Sequence, residues 1–249
     1  MKTRNIALFG IFRSGTNYTR TVLEWNYHCQ LTTNRLGWKH GFYPIIVERS
    51  VLDYPVADTI FVTKNPFSSI NSLFNYFQTN GRNIIAGKEW KQFLRQRFVI
   101  YDFFQQHSPQ YRFANVVELW NSMNWNFSSI QKTEFSSVHI RYEDILEDVA
   151  FTAKTVAETL NLQPRFSGID DFRIPSRVTR NMGDKQRQSD EDYLTDKLFN
   201  KTRYSSKEYY QLFDTDDIDF VLEALDMDLV QHLGYEAEMA VARKILEQG

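Results

Sequence analysis

Short apolar runs separated by amphipathic stretches dominate the first part of the chain. Four of these runs predict β-strands, over residues 6–9, 36–39, 59–63 and 138–142. Most are separated by segments in which apolar residues recur three or four positions apart, the spacing of an amphipathic helix. Strands that alternate with helices are typical of a mainly parallel sheet with helices on its faces. The pattern therefore predicts an α/β fold with a central sheet flanked by helices.

Helical patterns continue to the end of the chain. One helix is predicted after Asn17, and another is predicted at Pro66, because proline fits the first turn of a helix. Further helices are predicted over 88–107, 114–131, 149–161 and 218–233. Gly234 is the expected C-cap of the last one, whereas residues 165–210 are polar and predict long loops with short helical pieces. Because no repeat or low-complexity linker interrupts the chain, we expect one domain over residues 1–249.

Composition and net charge exclude some kinds of binding partner. The net charge is −2 and aromatic residues make up 15% of the chain, so no overall basic field favours nucleic acid, and any anion site must be a local cluster. The aromatic residues fit a bulky core, with the lining of a pocket as the alternative. A single cysteine, Cys29, excludes an internal disulfide. With no long apolar run and a strand that starts near Met1, we expect a soluble cytoplasmic protein without a membrane anchor.

The first strand runs directly into a turn that resembles a phosphate-binding loop. Gly10 follows the strand, and the turn Arg13-Ser14-Gly15-Thr16 comes just before a predicted helix. In this layout backbone N–H groups and a helix N-terminus face an anion. The Gly-Lys-Ser/Thr ending of nucleotide hydrolases is absent, and Arg13 precedes the turn instead. We therefore expect an anion other than the β- and γ-phosphates of ATP.

Two further clusters fall at the ends of predicted strands. Lys64 ends the third strand, and the next helix carries Ser68 and Ser72 one turn apart, which together can bind a second phosphate. A solvated lysine beside ordinary N-terminal serines is the alternative interpretation. His40 follows Lys39 at the second strand's end, where a histidine can act as a general base. A purely structural histidine is the alternative there.

In this order, the clusters resemble the sulfotransferases that use 3′-phosphoadenosine 5′-phosphosulfate (PAPS). Residues 13–18 match that family's 5′-phosphosulfate loop, a basic residue followed by Ser-Gly-Thr, a polar residue and an aromatic. Lys64, Asn65, Pro66 and Ser72 match its 3′-phosphate segment, with lysine in place of the usual arginine. Residues 141–145 and the ending Leu-Gly-Tyr at 233–235 are lesser matches. The resemblance runs from about residue 5 to 236 and implies a P-loop NTPase-like sulfotransferase architecture.

The resemblance implies a role for each matched position. Sulfuryl transfer from PAPS to a hydroxyl, or to an amine, would use His40 as general base, with Arg13 stabilising the leaving group and Lys39 contacting the sulfuryl oxygens. Residues expected to bind the nucleotide are Arg13, Ser14, Gly15, Thr16, Asn17, Tyr18, Lys64, Ser72, Tyr142, Arg177 and Arg180. No metal is expected, and the acceptor would be a small molecule or a glycan, with no nucleic acid or membrane as partner.

Two other functions stay open at this point. A P-loop kinase or hydrolase would need a Walker lysine and an acidic Mg²⁺ ligand at a strand end, and Lys64 stands near where that acid would be. A non-catalytic nucleotide-binding protein would keep the loops and tolerate the loss of His40 and Arg13, both of which are present.

Overall fold

A computed structural model describes residues 3–32, 39–43, 58–80, 89–100, 111–130, 136–165, 167–168, 171–175, 177–179, 194–198 and 202–248. Its strands are β1 Arg4–Gly10, β2 Cys29–Thr32, β3 Thr59–Thr63, β4 Phe98–Ile100, β5 Tyr111–Phe113, β6 Ser137–Arg141, β7 Arg177–Thr179 and β8 Leu194–Leu198. Its helices are α1 Thr16–Asn26, α2 Pro66–Asn80, α3 Trp90–Arg95, α4 Val116–Ser128, α5 Tyr142–Glu147, α6 Val149–Thr159, α7 Thr202–Ser205, α8 Thr215–Ala224, α9 Met227–His232 and α10 Glu236–Gln248. A 3-10 turn spans Glu208–Leu212.

The centre of the fold is a parallel sheet in the order β2-β1-β3-β6. Phe9 and Phe61 point to one face and pack with α2 and α4, while Leu8 and Ile60 point to the other face and pack with α1 and α6. This alternation follows from the two-residue period of a strand. Because both faces are covered, the central strands β1 and β3 are mainly buried and apolar, as in other parallel sheets. The predicted α/β class and the helix-flanked parallel sheet are confirmed.

The register of the sheet brings three strand ends together. Gly10 of β1 pairs with Val62, and Thr63 at the end of β3 pairs with Arg141 at the end of β6. The carboxyl ends of β1, β3 and β6 therefore lie side by side at one edge. Ligands of open α/β sheets bind outside this edge.

Several predicted elements differ from the structure. The helix predicted over 88–107 is wrong at residues 98–100, since α3 ends at Arg95 and Phe98 begins a strand that pairs with β5, and residues 101–107 lie outside the described residues. In the predicted strand over 36–39, Lys39 lies in a turn, and residues 36–38 lie outside the described residues. The sheet's edge strand is instead β2, a run of four residues too short to give a clear period.

The C-terminal region is also more divided than its pattern predicts. The helix expected over 218–233 is split into α8 and α9, because Asp226 leaves the helix and its side chain accepts from the Leu229 N–H as an N-cap. Gly234 adopts a φ of +72°, as expected for the residue after a helix end. α10 was not predicted. Within the part of the chain described, none of the helices has the length and apolar character needed to cross a bilayer.

Candidate functional site

The turn between β1 and α1 is shaped by two glycines. Gly15 has a φ of +85°, and a Cβ there would lie 2.2 Å from the ring of Tyr142. A Cβ on Gly10 would lie 2.5 Å from Ser14 Oγ and 2.8 Å from the carbonyl oxygen of Val62. Only glycine permits such close approach and such backbone angles at low cost. The turn therefore brings the start of α1 tightly against the ends of β1 and β3.

The left-handed backbone of Gly15 makes this position sensitive to substitution. Replacing it with alanine is expected to lower the free energy of unfolding by about 1–2 kcal/mol through the left-handed backbone alone, and to displace the Tyr142 ring. Gly168→Ala is the matched control, because its Cβ would come no nearer than 3.6 Å to any group of the described residues. Urea unfolding of both variants measures the difference. Equal stability of the two variants would contradict this geometry.

Ser14 supplies a polar atom that lacks a partner. Its side chain is fully buried, and its Oγ makes no hydrogen bond within the described residues. A buried hydroxyl without a partner is costly, so such a group calls for an explanation. At the same place α1 begins with Gly15 as N-cap, which offers no side chain to the first helical N–H groups. A hydroxyl and uncapped amides at a helix N-terminus fit an anion.

Lys39 lies beside this turn with most of its side chain removed from solvent. It is 5% exposed, and its Nζ donates to Asn17 Oδ1 at 2.6 Å. Burial, followed by the positive charges of Arg20 and Arg13, lowers the pKa of Lys39 to about 7. Its amine therefore changes charge within the physiological range, and a nearby anion would favour the charged form.

His40 is held against the end of β1. Its Nδ1 lies 2.8 Å from the carbonyl oxygen of Gly10, and its ring stacks on Phe12 with the ring centroids 5.0 Å apart. Because a carbonyl only accepts, Nδ1 carries the proton in this contact, and the basic lone pair of the neutral tautomer is on Nε2. Burial, followed by the charge of Lys39, lowers the pKa of His40 to about 3.

This lowered pKa predicts a loss of stability in acid. Between pH 6.5 and 3 the unfolded chain binds a proton at His40 and the folded chain does not, so folding stability falls as pH falls through this window. The contribution approaches about 1.4 kcal/mol per pH unit. We expect His40→Gln to lose less stability than the wild-type chain between pH 6.5 and pH 4.5. Urea unfolding at the two pH values measures this, and equal losses would contradict it.

Lys64 and Ser72, the second predicted cluster, also lie in contact. Lys64 is 4% exposed, and its Nζ donates to Ser72 Oγ at 2.9 Å. The same ammonium group lies 5.0 Å from the ring centroid of Tyr142 and 5.2 Å from that of Tyr204, within range of cation–π attraction. Since the Tyr142 ring also lies against Gly15, it separates the turn from the Lys64–Ser72 pair.

Glu143 organises this second cluster and was not predicted as a functional residue. Its Oε1 accepts from the backbone N–H of Asn65 at 3.0 Å and from the Tyr204 hydroxyl. Its Oε2 accepts from the Tyr235 hydroxyl at 3.0 Å. The carboxylate thus joins the start of α2, α7 and the residue before α10. The Tyr-Glu-Asp segment at 142–144 was noticed in the sequence, but nothing in it indicated these contacts.

The other predicted residues are placed differently. Tyr18 is 3% exposed and packs in the core between the sheet and α1, so in this structure its ring offers almost no surface to a ligand base. Thr16 is buried at the start of α1, and the Arg13 guanidinium lies 5.0 Å from the ring centroid of Tyr76. Arg177 lies in β7, beside α1, with its side chain outside the described residues. Arg180 lies outside them entirely.

Among the residues that the structure describes, no group of three or more His, Cys, Asp or Glu side chains could hold a metal ion. No protein-family model matches the chain. No curated protein matches it either.

Proposed function

We propose that this chain is a PAPS-dependent sulfotransferase whose nucleotide site is the edge formed by the ends of β1, β3 and β6. The observation that carries the proposal is the Lys64–Ser72 contact of 2.9 Å, separated from the β1–α1 turn by the Tyr142 ring. Two anion positions are thereby available side by side. A nucleotide with phosphates on both its 3′ and its 5′ oxygens matches them, and ADP or ATP does not.

The residues of the turn fit the 5′ end of such a nucleotide. Ser14 Oγ, the first N–H groups of α1 and the Thr16 hydroxyl would hold the 5′-phosphate. Ser14 Oγ has no hydrogen-bond partner within the described residues, and α1 begins without a side-chain cap. Lys64 and Ser72 would hold the 3′-phosphate. When bound, PAPS supplies a sulfuryl group on its 5′-phosphate for transfer to an acceptor oxygen, or to a nitrogen in the case of an amine.

The remaining roles belong to the chain's own side chains. Arg13 would stabilise negative charge that develops on the leaving phosphate, which is an electrostatic contribution. His40 would accept the acceptor's proton at Nε2, since Nδ1 is engaged by the Gly10 carbonyl. Lys39 would contact the sulfuryl oxygens. The acceptor proposed is a hydroxyl of a small molecule or a glycan.

Thermal stabilisation by nucleotides tests this function. A ligand at 100 times its dissociation constant adds about 2.7 kcal/mol to the stability of the native state, or roughly 5–10 °C for a chain of this length. We expect 3′,5′-ADP to raise the melting temperature without metal, and ADP with Mg²⁺ to have little effect. Sulfate transfer from labelled PAPS to a panel of hydroxyl acceptors measures activity directly.

Two outcomes of these assays would contradict the proposed sulfotransferase function. A metal-dependent response to ADP alone would replace the proposal with a kinase or hydrolase. Stabilisation by 3′,5′-ADP with no transfer to any acceptor of a broad panel would indicate a nucleotide-binding protein without this activity.

A further inference from the structure

One peptide group between β3 and α2 is held from two sides. It joins Lys64 to Asn65, at the point where the strand passes into the helix. Its carbonyl oxygen accepts from Trp120 Nε1 at 2.9 Å, and its N–H donates to Glu143 Oε1 at 3.0 Å. Trp120 lies on α4 and Glu143 on α5, so two separate helices fix the same planar unit.

The residue that follows this peptide group is fixed as well. Asn65 is fully buried, its Oδ1 accepts from the backbone N–H of Ser68 at 3.2 Å, and its Nδ2 donates to the Tyr209 hydroxyl at 3.1 Å. Asn65 thus caps the first turn of α2 while its own N–H is bound by Glu143. These contacts fix the start of α2, and they thereby place Ser72, which lies two turns along that helix.

Glu143 also contacts one of the aromatic rings beside the Lys64 ammonium group. The Tyr204 hydroxyl donates to the carboxylate oxygen that accepts from Asn65, and the Tyr204 ring centroid lies 5.2 Å from Lys64 Nζ. The ring of Tyr142, the residue before Glu143, lies 5.0 Å from the same Nζ. One carboxylate thus holds both the backbone that carries Lys64 and a ring that packs beside its charge.

We propose that Glu143 is a positioning residue, which fixes the peptide that carries Lys64 and thereby directs its ammonium group to a phosphate beside Ser72. Glu143 acts through Lys64 and does not contact the ligand. The proposal rests on the proposed function in taking a nucleotide 3′-phosphate as the natural ligand. A displacement of about 1 Å can remove most of the benefit of a charged contact, so this support contributes to affinity.

A merely structural carboxylate would give a different pattern of effects. The Tyr235 hydroxyl donates at 3.0 Å to Glu143 Oε2, whereas Asn65 donates to Oε1. Tyr235→Phe therefore removes a hydrogen bond from the same carboxylate and leaves the one to Asn65 in place. It is the matched control, and we expect it to lower stability without changing the preference between nucleotides.

Calorimetry of 3′,5′-ADP and 5′-AMP measures this preference, because only the first has a 3′-phosphate. We expect Glu143→Ala to raise the dissociation constant of 3′,5′-ADP by about 5- to 20-fold and that of 5′-AMP by less than about twofold. Glu143→Gln keeps an acceptor for the Asn65 N–H, so both constants are expected to stay within about threefold of the wild-type values.

The Lys64→Met variant shows whether Glu143 acts through Lys64. Residues that act through one another have non-additive effects, so adding Glu143→Ala to Lys64→Met is expected to change the 3′,5′-ADP constant by less than about twofold. The same loss in both backgrounds overturns the proposal. An equal loss for 3′,5′-ADP and 5′-AMP in Glu143→Ala also overturns it, because that is the result of a merely structural role.

Trp120→Phe decides the matter if Glu143→Ala does not fold. It removes the donor to the carbonyl side of the same peptide group, which links Lys64 to Asn65. We expect it to weaken binding of 3′,5′-ADP more than binding of 5′-AMP. The wild-type preference in Trp120→Phe contradicts the mechanism.

Inorganic phosphate separates this inference from the proposed function. It is titrated against the NMR signal of the Lys64 ε-methylene group in the wild-type chain and in Glu143→Ala. Phosphate binding at least about fivefold weaker in the variant, in a chain that neither nucleotide stabilises, refutes the proposed function and leaves this inference standing. Equal phosphate binding, in a chain that 3′,5′-ADP stabilises, refutes the inference and leaves the proposed function standing.

Discussion

Glutamine at position 40 is expected to lower the rate of sulfate transfer by about 10²- to 10⁴-fold, the usual contribution of a general base. The side-chain amide of glutamine can still donate to the Gly10 carbonyl, which accepts from His40 Nδ1 at 2.8 Å, but it cannot take a proton. We therefore expect the affinity for 3′,5′-ADP to stay within about twofold of the wild-type value. Initial rates with labelled PAPS, together with calorimetry of 3′,5′-ADP, measure the two effects separately.

The lowered pKa of His40 limits its strength as a base. A base with a pKa of about 3 is weak, and its weakness comes from burial and from the charge of Lys39. Negative charge bound beside Lys39 opposes that charge and shifts the pKa of His40 upwards, towards the range in which a base is most effective. The nucleotide and the base are thus coupled through one lysine.

His28 provides the matched control for this experiment. It is a partly buried histidine whose carbonyl accepts from Arg4 at the start of β1, so it lies at the opposite end of that strand from Gly10. His28→Gln is expected to transfer sulfate at the wild-type rate. Near-normal turnover in His40→Gln would remove His40 from the proposed reaction. A parallel loss of turnover and of 3′,5′-ADP affinity would assign it a structural role instead.

The centre of the sheet was predictable because β1 and β3 are buried on both faces. β1 and β3 contain continuous apolar runs, and α2 has apolar residues at helical spacing behind a proline. The prediction of one helix over 88–107 failed because Phe93 and Phe98 are both large and buried, although Phe93 lies in a helix and Phe98 in a strand. Pairing with β5 decides the conformation there, and local periodicity does not report a partner strand.

Some contacts of the candidate site were also predictable from the sequence, and others were not. Lys64 and Ser72 were predicted to share a phosphate site, from a cation at a strand end followed by hydroxyls on the next helix and from the spacing in the family that the sequence resembles. The structure places the two side chains in contact. Glu143 joins Asn65 to Tyr204 across 78 and 61 residues, and such separations leave no local signal. The burial of Arg20 was not predicted, because a charged residue on a helix is most often solvated.

Methionine at position 64 is expected to weaken binding of 3′,5′-ADP selectively. A hydrogen bond to a charged group contributes about 1.5–3 kcal/mol, so losing the ammonium group raises the dissociation constant by roughly 10- to 100-fold. Methionine keeps most of the volume between the Tyr142 and Tyr204 rings, so the fold should be retained. Binding of 5′-AMP, which has no 3′-phosphate, is expected to change by less than about threefold on the same reasoning.

Calorimetry of both nucleotides shows whether Lys64 recognises the 3′-phosphate or attracts any anion. Lys91→Met is the control, because Lys91 lies on α3, is exposed and pairs with Asp214 at 2.6 Å. An equal loss for 3′,5′-ADP and 5′-AMP would make Lys64 a general attractor of anions. Unchanged binding of both would place the 3′-phosphate away from Ser72. Only a selective loss fits a site that distinguishes its nucleotide by the second phosphate, since the turn after β1 alone cannot tell 3′,5′-ADP from 5′-AMP.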